Sequence, residues 1–261
     1  MTSVADQYMN EMHDQFKYYA TWAPGIPLKI GDVGTLERNG FTVISNLNKL
    51  GIDFEVRTDS QKDSLQYASA SGVSISTKIK GSAGLAEYNL NLADAGIVVQ
   101  FAKDAGVAFE ARGVEHQLIE DCVNIDAAIL AAHSKGIWKD DWVVISDLMV
   151  ADSGTVLISQ GNDASIGLKA LADVPHLSLA NIDADFTVTY SKNLNTTIIC
   201  QTGLTPLFKI RGIDHGWFPW STPHIGVRAA GKGMMGSGPK GKEVGSAGLK
   251  PAVIEIPYIK R

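Results

Sequence analysis

Long stretches of the chain alternate polar and apolar residues in the way that β-strands do. The clearest of them runs from Leu65 to Lys80. Its apolar face carries Leu65, Tyr67, Val73, Ile75 and Ile79, and its polar face carries Gln66, Ser74, Ser76, Lys78 and Lys80. Strands of a membrane-spanning barrel alternate in this way, and so do strands of a soluble sheet that has one face on the core. The pattern predicts a two-sided ribbon and leaves both environments open.

Three further segments have the same period. From 97 to 111 the apolar side chains stand at odd positions, at Ile97, Val99, Phe101, Val107 and Phe109. The break at 103–106, Lys-Asp-Ala-Gly, is typical of a hairpin turn. Segments 142–150 and 155–160 flank Ala-Asp-Ser-Gly, and segments 186–190 and 196–200 flank Lys-Asn-Leu-Asn. We interpret each of these two pairs as a hairpin or a bent strand.

Two segments have the helical period. Within Val4 to Tyr19, apolar side chains stand three or four residues apart, at Tyr8, Met12, Phe16 and Tyr19. The pattern predicts an amphipathic helix that stops before Pro24. From Glu115 to His133 the apolar side chains at Leu118, Cys122, Ile125 and Ile129 have the same spacing. This second segment predicts a helix ended by Gly136.

Shorter strands complete the predicted fold. We place them at residues 27–30, 41–44, 52–57, 88–92 and 207–211. The fold class is α+β, a twisted antiparallel β-sheet with packed helices. Residues 1–225 form a single α+β body, and residues 226–261 form a basic, glycine-rich linker and a terminal strand. The alternating piece Val253–Ile259 is suited to cover an open sheet edge.

The net charge and its distribution along the chain limit the classes of function that the sequence supports. The net charge of the 261 residues is −5, which argues against a general nucleic-acid binder, since such binders neutralise phosphates. Residues 226–261 contain seven Lys or Arg and two Glu, a local charge of +5. A segment of this charge would favour an anionic lipid surface, and the alternative is a solvated tail. The chain shows neither a secretory signal nor a run of about 18 apolar residues. We expect a cytoplasmic soluble form and a membrane-bound active form.

The sequence contains short matches to cofactor-binding motifs, but the residues around them do not have the pattern that such motifs require. Gly231 to Gly236 matches GxGxxG and Gly236 to Lys242 nearly matches a phosphate loop, but neither has the flanking strand and helix that bind phosphates. His116 and Glu120 would lie one turn apart on the second helix, and two ligands do not make a metal site. We therefore expect no catalytic residue, cofactor, metal or small-molecule substrate, and no enzyme activity.

Three segments resemble the pore-forming domain of gasdermins. Thr77-Lys-Ile-Lys-Gly-Ser82 is similar to the family's first membrane hairpin region. The helix that ends at Lys135, followed by Trp138 and the stretch Asp141-Trp-Val-Val-Ile-Ser-Asp-Leu-Met-Val-Ala-Asp-Ser-Gly-Thr-Val-Leu157, resembles the helix and long strand that start the second hairpin. The stretch Thr202-Gly-Leu-Thr-Pro-Leu-Phe-Lys-Ile-Arg-Gly-Ile213 resembles the strand that closes it. Over residues 70–213 the resemblance implies a pore-forming protein of cell death, here a short form restrained by its C-terminal segment or by self-association.

The leading hypothesis is a gasdermin-type pore former that oligomerises and inserts hairpins from segments 65–112 and 142–201. The side chains expected to insert are Leu65, Tyr67, Val73, Ile75, Ile79, Val99, Phe101, Val107, Phe109, Val143, Ile145, Val156, Ile158, Phe186, Val188 and Ile198. The side chains expected to bind lipid are Trp217, Trp220, Lys232, Lys240 and Lys242. Since charge is costly near mid-bilayer, Lys103 and Asp147 are expected at a turn or an interface. The alternatives are a soluble β-rich self-assembling or binding protein and, third, an enzyme of unrecognised type.

Overall fold

The structure, a computed structural model, describes residues 3–37, 40–59, 61–70, 72–214, 252–256 and 258. Its helices are α1 (Val4–Phe16) and α2 (Cys122–Ser134). Its strands are β1 (Tyr19–Ala20), β2 (Asp32–Glu37), β3 (Gly40–Asn46), β4 (Val56–Thr58), β5 (Asp63–Ala68), β6 (Val73–Lys78), β7 (Ala95–Phe101), β8 (Val107–Ile119), β9 (Trp142–Ser159), β10 (Ser165–Ala170), β11 (Phe186–Lys192), β12 (Leu194–Asp214) and β13 (Ala252–Glu255). The architecture is α+β, as predicted.

The strands of the described residues form two antiparallel sheets. The large sheet has nine strands, with β1, β12, β9, β2 and β3 in that order. Strand β8 pairs with residues 147–158 of β9 and carries β4 and β5 on its other side, while β13 pairs with β12. The small sheet has four strands, in the order β11-β10-β7-β6. The sequence predicted the antiparallel class but not the division into two sheets.

Helix α1 begins and ends at clear local signals. Ser3 and Asp6 form a capping box, each side chain accepting from the other residue's backbone N–H. The helix ends at Phe16, before the predicted Tyr19, because Lys17 takes a left-handed backbone with a φ of 64°. The buried side chains of Tyr8 and Met12 pack on the large sheet. The apolar side chains whose spacing predicted the helix therefore form the face that packs on the core.

Helix α2 begins seven residues later than predicted. The predicted helix started at Glu115, but β8 runs to Ile119 and the helix begins at Cys122. Asp121 defines the start, since its side chain accepts from the backbone N–H of Asn124. His116 therefore lies on a strand rather than one turn from Glu120, so their predicted helical pairing is wrong. Within the described residues, no three His, Cys, Asp or Glu side chains are grouped to hold a metal.

Several strand predictions are corrected by the pairing. Residues 27–30 form no strand, and residues 88–92 begin at the last residue of the 3₁₀ turn Ala86–Tyr88, with a single bridge, Leu90 to Leu85, in place of a strand. The two segments of 142–160 form one strand of 18 residues, β9. The segments 196–200 and 207–211 likewise belong to one strand of 21 residues, β12. In the described residues no helix is long and apolar enough to cross a bilayer.

Candidate functional site

Strands β5 to β8 form one long, bent hairpin. In the large sheet β5 pairs with β8, with Asp63 opposite Val114 and Ala68 opposite Ala108. In the small sheet β6 pairs with β7, with Val73 opposite Phe101. The same two chain segments thus run side by side through both sheets and meet at a tip, residues 79–94. We call residues 63–119 the first hairpin.

The predicted turn at 103–106 is wrong, and so is the continuous ribbon at 65–80. Residues 103–106 pass from β7 in the small sheet to β8 in the large sheet, so they do not join paired neighbours. The two halves of the 65–80 segment, β5 and β6, belong to different sheets for the same reason. Alternation shows which residues share a face, but it does not reveal where a strand changes sheets.

Strands β9 to β12 form a second hairpin of the same design. Strand β9 pairs with β12 in the large sheet, β10 pairs with β11 in the small one, and residues 171–185 form the tip. We call residues 142–214 the second hairpin. The hairpins lie side by side, because β8 pairs with β9 and β7 pairs with β10. Together they make a four-stranded antiparallel band that crosses from one sheet to the other.

The band changes sheets along one line, which we call the bend line. Among the described residues it consists of 69, 70, 72, 102–106, 160–164 and 193. Two residues on it, Ala105 and Asn193, have positive φ angles of 50° without being glycine. Such a backbone is unusual for residues other than glycine. The bends are therefore specific local conformations.

The apolar side chains keep the same alternation on both sides of the bend line. In the large sheet, Tyr67 stands opposite Phe109, Phe109 opposite Val156, and Val156 opposite Ile198. In the small sheet, Ile75, Val99 and Ile166 form the corresponding row. The apolar residues stand at odd positions in β5 to β8, and at even positions in β10 and the adjoining end of β9. The alternation therefore continues along the sequence, but in the folded band the Val99 row packs with Ala108 and Leu157, on the large-sheet face opposite Phe109 and Val156.

The side chains predicted to insert differ in burial. Eight have at most 3% exposure, namely Val99, Phe101, Val107, Phe109, Val143, Ile145, Val156 and Ile158. Five are half-buried, namely Leu65, Tyr67, Val73, Phe186 and Ile198. The other three are exposed, namely Ile75, Ile79 and Val188. Val143 and Ile145 pack with Tyr19 and Phe208 away from the bend line, and Ile79 lies beyond the end of β6.

The side chains predicted to bind lipid, Trp217, Trp220, Lys232, Lys240 and Lys242, lie outside the described residues, as does the glycine-rich linker. The terminal strand is described from Ala252 to Glu255, where β13 pairs with residues 211–214 of β12. It covers one end of the β12 edge. Strand β1 pairs with residues 207 and 208 of the same edge, and residues 21–28 cover the part around Thr205.

A carboxylate from α1 contacts the bend line of the first hairpin. One oxygen of Glu11 lies 3.1 Å from the ammonium of Lys103. The other oxygen accepts hydrogen bonds from the hydroxyl of Tyr67, at 3.1 Å, and from the hydroxyl of Ser69. Burial, together with the charge of Glu11, raises the pKa of Tyr67 to about 12. Sequence reasoning missed Glu11, because its partners are 56 to 92 residues away along the chain.

Serine and asparagine side chains join the four bends to one another. Ser69 accepts from the backbone N–H of Val107 at 2.9 Å. Ser159 accepts from the N–H of Gly106 and donates to the carbonyl of Lys103, both at 2.8 Å. At the last bend the Asn193 side chain donates to Asp163 at 2.7 Å. Each bend is therefore tied to another segment of the band by a side-chain hydrogen bond.

The tip of the second hairpin folds back onto the large sheet. The backbone N–H of Leu179 donates to the buried carboxylate of Glu110 at 3.0 Å. The carbonyl of Leu179 accepts from the hydroxyl of Thr155 at 2.5 Å and from the thiol of Cys200 at 3.4 Å. Burial raises the pKa of the Cys200 thiol. This tip is held by three strands of the band at once.

The first tip is held differently. Tyr88 and Leu90 pack on Val98, on the face of the small sheet opposite Val99. The ammonium of Lys78, which the sequence placed on a polar face, is buried and donates to the carbonyl of Asp94 at 2.7 Å. A hydrogen bond from Lys169 lowers the pKa of Asp94. The tip therefore rests on a polar contact as well as on apolar packing.

Lys103 and Asp147, the two charged residues that interrupt apolar rows, lie in different structural environments. Lys103 lies in the connection between β7 and β8, where it pairs with Glu11 of α1. Asp147 lies within β9, away from any turn, and is buried against the N-terminal segment, where the hydroxyl of Tyr18 donates to it at 2.7 Å. Burial raises the pKa of Asp147, partly opposed by the Tyr18 hydrogen bond. Asp147 thus connects β9 to the segment that covers the sheet.

Comparison with known proteins assigns no family. No protein-family model matches the sequence, and no curated protein matches it.

Proposed function

We propose that the chain is a pore-forming protein of the gasdermin type, in which the four-stranded band opens into membrane-spanning hairpins. The observation that carries the proposal is the matched alternation on both sides of the bend line. If the strands straightened across the bend line, these apolar positions would all fall on one face, as the lipid-facing side chains of a barrel wall do. The proposal requires no catalytic residue and no cofactor.

Strand length explains why the bends would have to open. The strands of the small sheet contain six or seven residues. A barrel strand needs about 9–11 residues to cross a bilayer. Since the small sheet alone is too short, insertion requires the strands to continue across the bend line or into the tips. The hydrogen bonds of Glu11, Ser69 and Ser159 oppose that extension.

Self-assembly follows from the order of the strands. A band of four antiparallel strands ends on strands of opposite direction, so a second copy beside it continues the antiparallel pattern. Repetition of one such head-to-tail contact closes a ring when the rotation between copies allows it. In the described residues, one edge of the band is β5 and β6, which each pair with a single strand. The other edge is β11 and β12, partly covered by β1 and β13.

The target surface we propose is an anionic membrane. Residues 226–261 carry a net charge of +5, and about 1 kcal/mol per Lys or Arg is available near such a surface. Residues 1–225 carry −10 and would be repelled by it. Capture by the C-terminal segment would therefore precede contact by the body.

A second function remains in competition, a β-rich self-assembling or binding protein without membrane activity. The burial of eight predicted insertion residues favours it, since alternation in those strands already serves the core. The two functions differ in whether the apolar rows ever leave that core.

Dye release from liposomes separates the two functions. The intact protein, and a form truncated before Gly226, are added to vesicles with and without anionic lipid. The pore proposal expects dye release that depends on anionic lipid and rises steeply with protein concentration. Retention of dye in every vesicle by both forms, when the protein is folded, would refute the proposal and favour the second function.

A further inference from the structure

Helix α1 contacts both halves of the first hairpin at its bends. Tyr67 and Ser69 mark the bend between β5 and β6, and Lys103 lies in the bend between β7 and β8. Glu11 accepts hydrogen bonds from all three side chains. Its side chain is 18% exposed and that of Lys103 is 31% exposed, so water screens the ion pair only in part. One carboxylate therefore links two bends that are more than thirty residues apart.

The same helix covers the apolar face of the band in the large sheet. Tyr8, Met9 and Met12 share one buried cluster with Val107 and Phe109. Phe16 packs edge-on against the Phe109 ring, with a centroid separation of 5.9 Å. The apolar face cannot meet another surface while α1 lies on it. The contacts of Glu11 and the apolar stripe thus act on the same two strands.

We propose that α1 is a latch that holds the first hairpin in its bent form, and that Glu11 is the positioning residue through which it acts. The inference rests on the proposed function, because it names what restrains the band. Opening would require α1 to leave the sheet, which breaks the Lys103 ion pair and leaves Tyr67 and Ser69 without their acceptor. Hydrogen bonds to a charged group are among the stronger ones, so the latch resists opening until another surface replaces the sheet.

Two amides report directly on the bend without any membrane. The N–H of Ser69 donates to the carbonyl of Val107, and the N–H of Val107 donates to the Ser69 hydroxyl. Hydrogen exchange at these amides measures how often the bend opens. We expect Glu11→Lys to speed their exchange by about tenfold or more, because it replaces the acceptor with a second ammonium beside Lys103. Glu11→Gln keeps one acceptor oxygen and should give a smaller increase.

The variants provide their own controls. Glu55→Gln removes an exposed carboxylate elsewhere and should leave exchange at Ser69 and Val107 unchanged. The double variant Glu11→Lys with Lys103→Glu restores opposite charges across the pair and should recover a large part of the lost protection. Should Glu11→Lys fail to fold, the comparison of Glu11→Gln with Glu55→Gln decides the question.

Equal exchange in Glu11→Gln, Glu11→Lys and Glu55→Gln would overturn the latch. So would exchange that rises equally at all amides of the chain, since that result describes general destabilisation. Dye release from anionic vesicles is then measured on the same proteins. Faster exchange together with faster release supports the latch. Faster local exchange without release from any variant supports the restraint on the bend and refutes the pore proposal instead.

Discussion

The band has one end in the large sheet and the other in the small sheet. Both ends alternate apolar and polar residues, but their outer strands are buried to different extents. At the large-sheet end, the outer strands carry Tyr67 and Ile198, which are half-buried against the cluster that includes Tyr8 and Met12 of α1. At the small-sheet end, the outer strands leave Ile75 and Val188 exposed by 38% and 44%. The inner strands are buried at both ends, since Val99 and Ile166 are as buried as Phe109 and Val156. The exposed positions on β6 and β11 are therefore the ones that can be altered at little cost.

The tips of the two hairpins are held in different ways. The first tip rests on the outer face of the small sheet through Tyr88 and Leu90. The second tip returns to the large sheet, where Glu110 and Thr155 bind the backbone of Leu179. If the band opens, both tips must break polar contacts, because Lys78 and Thr189 also hydrogen-bond to the backbone of the first tip.

The largest expected effect is loss of dye release on charging the exposed apolar row. Ile75→Asp together with Val188→Asp places two carboxylates on the apolar face without removing a buried side chain. Release should fall by about tenfold or more, since a charge facing lipid costs kilocalories. The control is Ser76→Asp with Thr187→Asp on the opposite face. Equal release from both pairs would contradict the assignment of that face.

The same comparison of charged substitutions on opposite faces applies to β6, within the ribbon predicted at residues 65–80. Val73→Asp with Ile75→Asp should abolish release, whereas Ser74→Asp with Ser76→Asp should be mild. Val73 packs partly on the buried cluster of the small sheet, so circular dichroism must first show that the variant is folded. Matching release from folded proteins of both kinds would argue against inserted strands.

The unfolding free energies of two variants test the difference in burial between the inner strand β8 and the outer strand β6. Phe109→Ala should lower the free energy of unfolding by about 3–5 kcal/mol, because it empties a site beneath α1. Ile75→Ala should cost less than about 1 kcal/mol, because much of that side chain is already in water. Urea unfolding of both variants gives the two values. Similar costs would show that Ile75 contributes to the core as much as Phe109 does.

Truncation before Gly226 tests the edge cover on β12. It removes β13 and the buried side chains of Val253 and Ile256, a loss of about 3 kcal/mol of hydrophobic burial. Oligomerisation and dye release should rise, because the edge of β12 is uncovered. Capture by anionic vesicles should fall, because the truncation also deletes a charge of +5.

Salt separates the two roles of the C-terminal segment. Release that falls on truncation, and that high salt suppresses in the intact protein, would identify a membrane-binding arm. A truncated protein that stays monomeric and inactive on every lipid would count against both roles and favour the soluble function.

The smallest effect concerns the buried carboxyl of Asp147. Burial raises its pKa in the folded state, so the unfolded chain releases this proton at lower pH than the folded chain. Stability should therefore fall as the pH rises from about 4 through the folded-state pKa, by about 1.4 kcal/mol for each pH unit that separates the folded-state pKa from the unfolded-state pKa. Asp147→Asn should remove this part of the pH dependence while still accepting from Tyr18. An unchanged slope in urea unfolding between pH 4 and 7 would contradict the assignment.

Much of the local structure could be predicted from the sequence. The apolar stripe gave α1 to within three residues, and alternation gave most strands of both hairpins. The start of α2 was missed, because Leu118 and Cys122 also fit a helix that begins earlier. The sheet change at residues 102–106 was missed as well, since Asp104 and Gly106 are as suitable for a connection between sheets as for a hairpin turn.

The sequence by itself determined which side chains share a face, because side-chain direction alternates with backbone geometry alone. It also determined the charge asymmetry between the body and the C-terminal segment. Only the tertiary structure decided which strands pair, where the band bends and which face α1 covers. Those features depend on contacts such as that of Glu11 with Lys103, whose partners are far apart in the chain. A single sequence records the residues of such a contact but not the fold that brings them together.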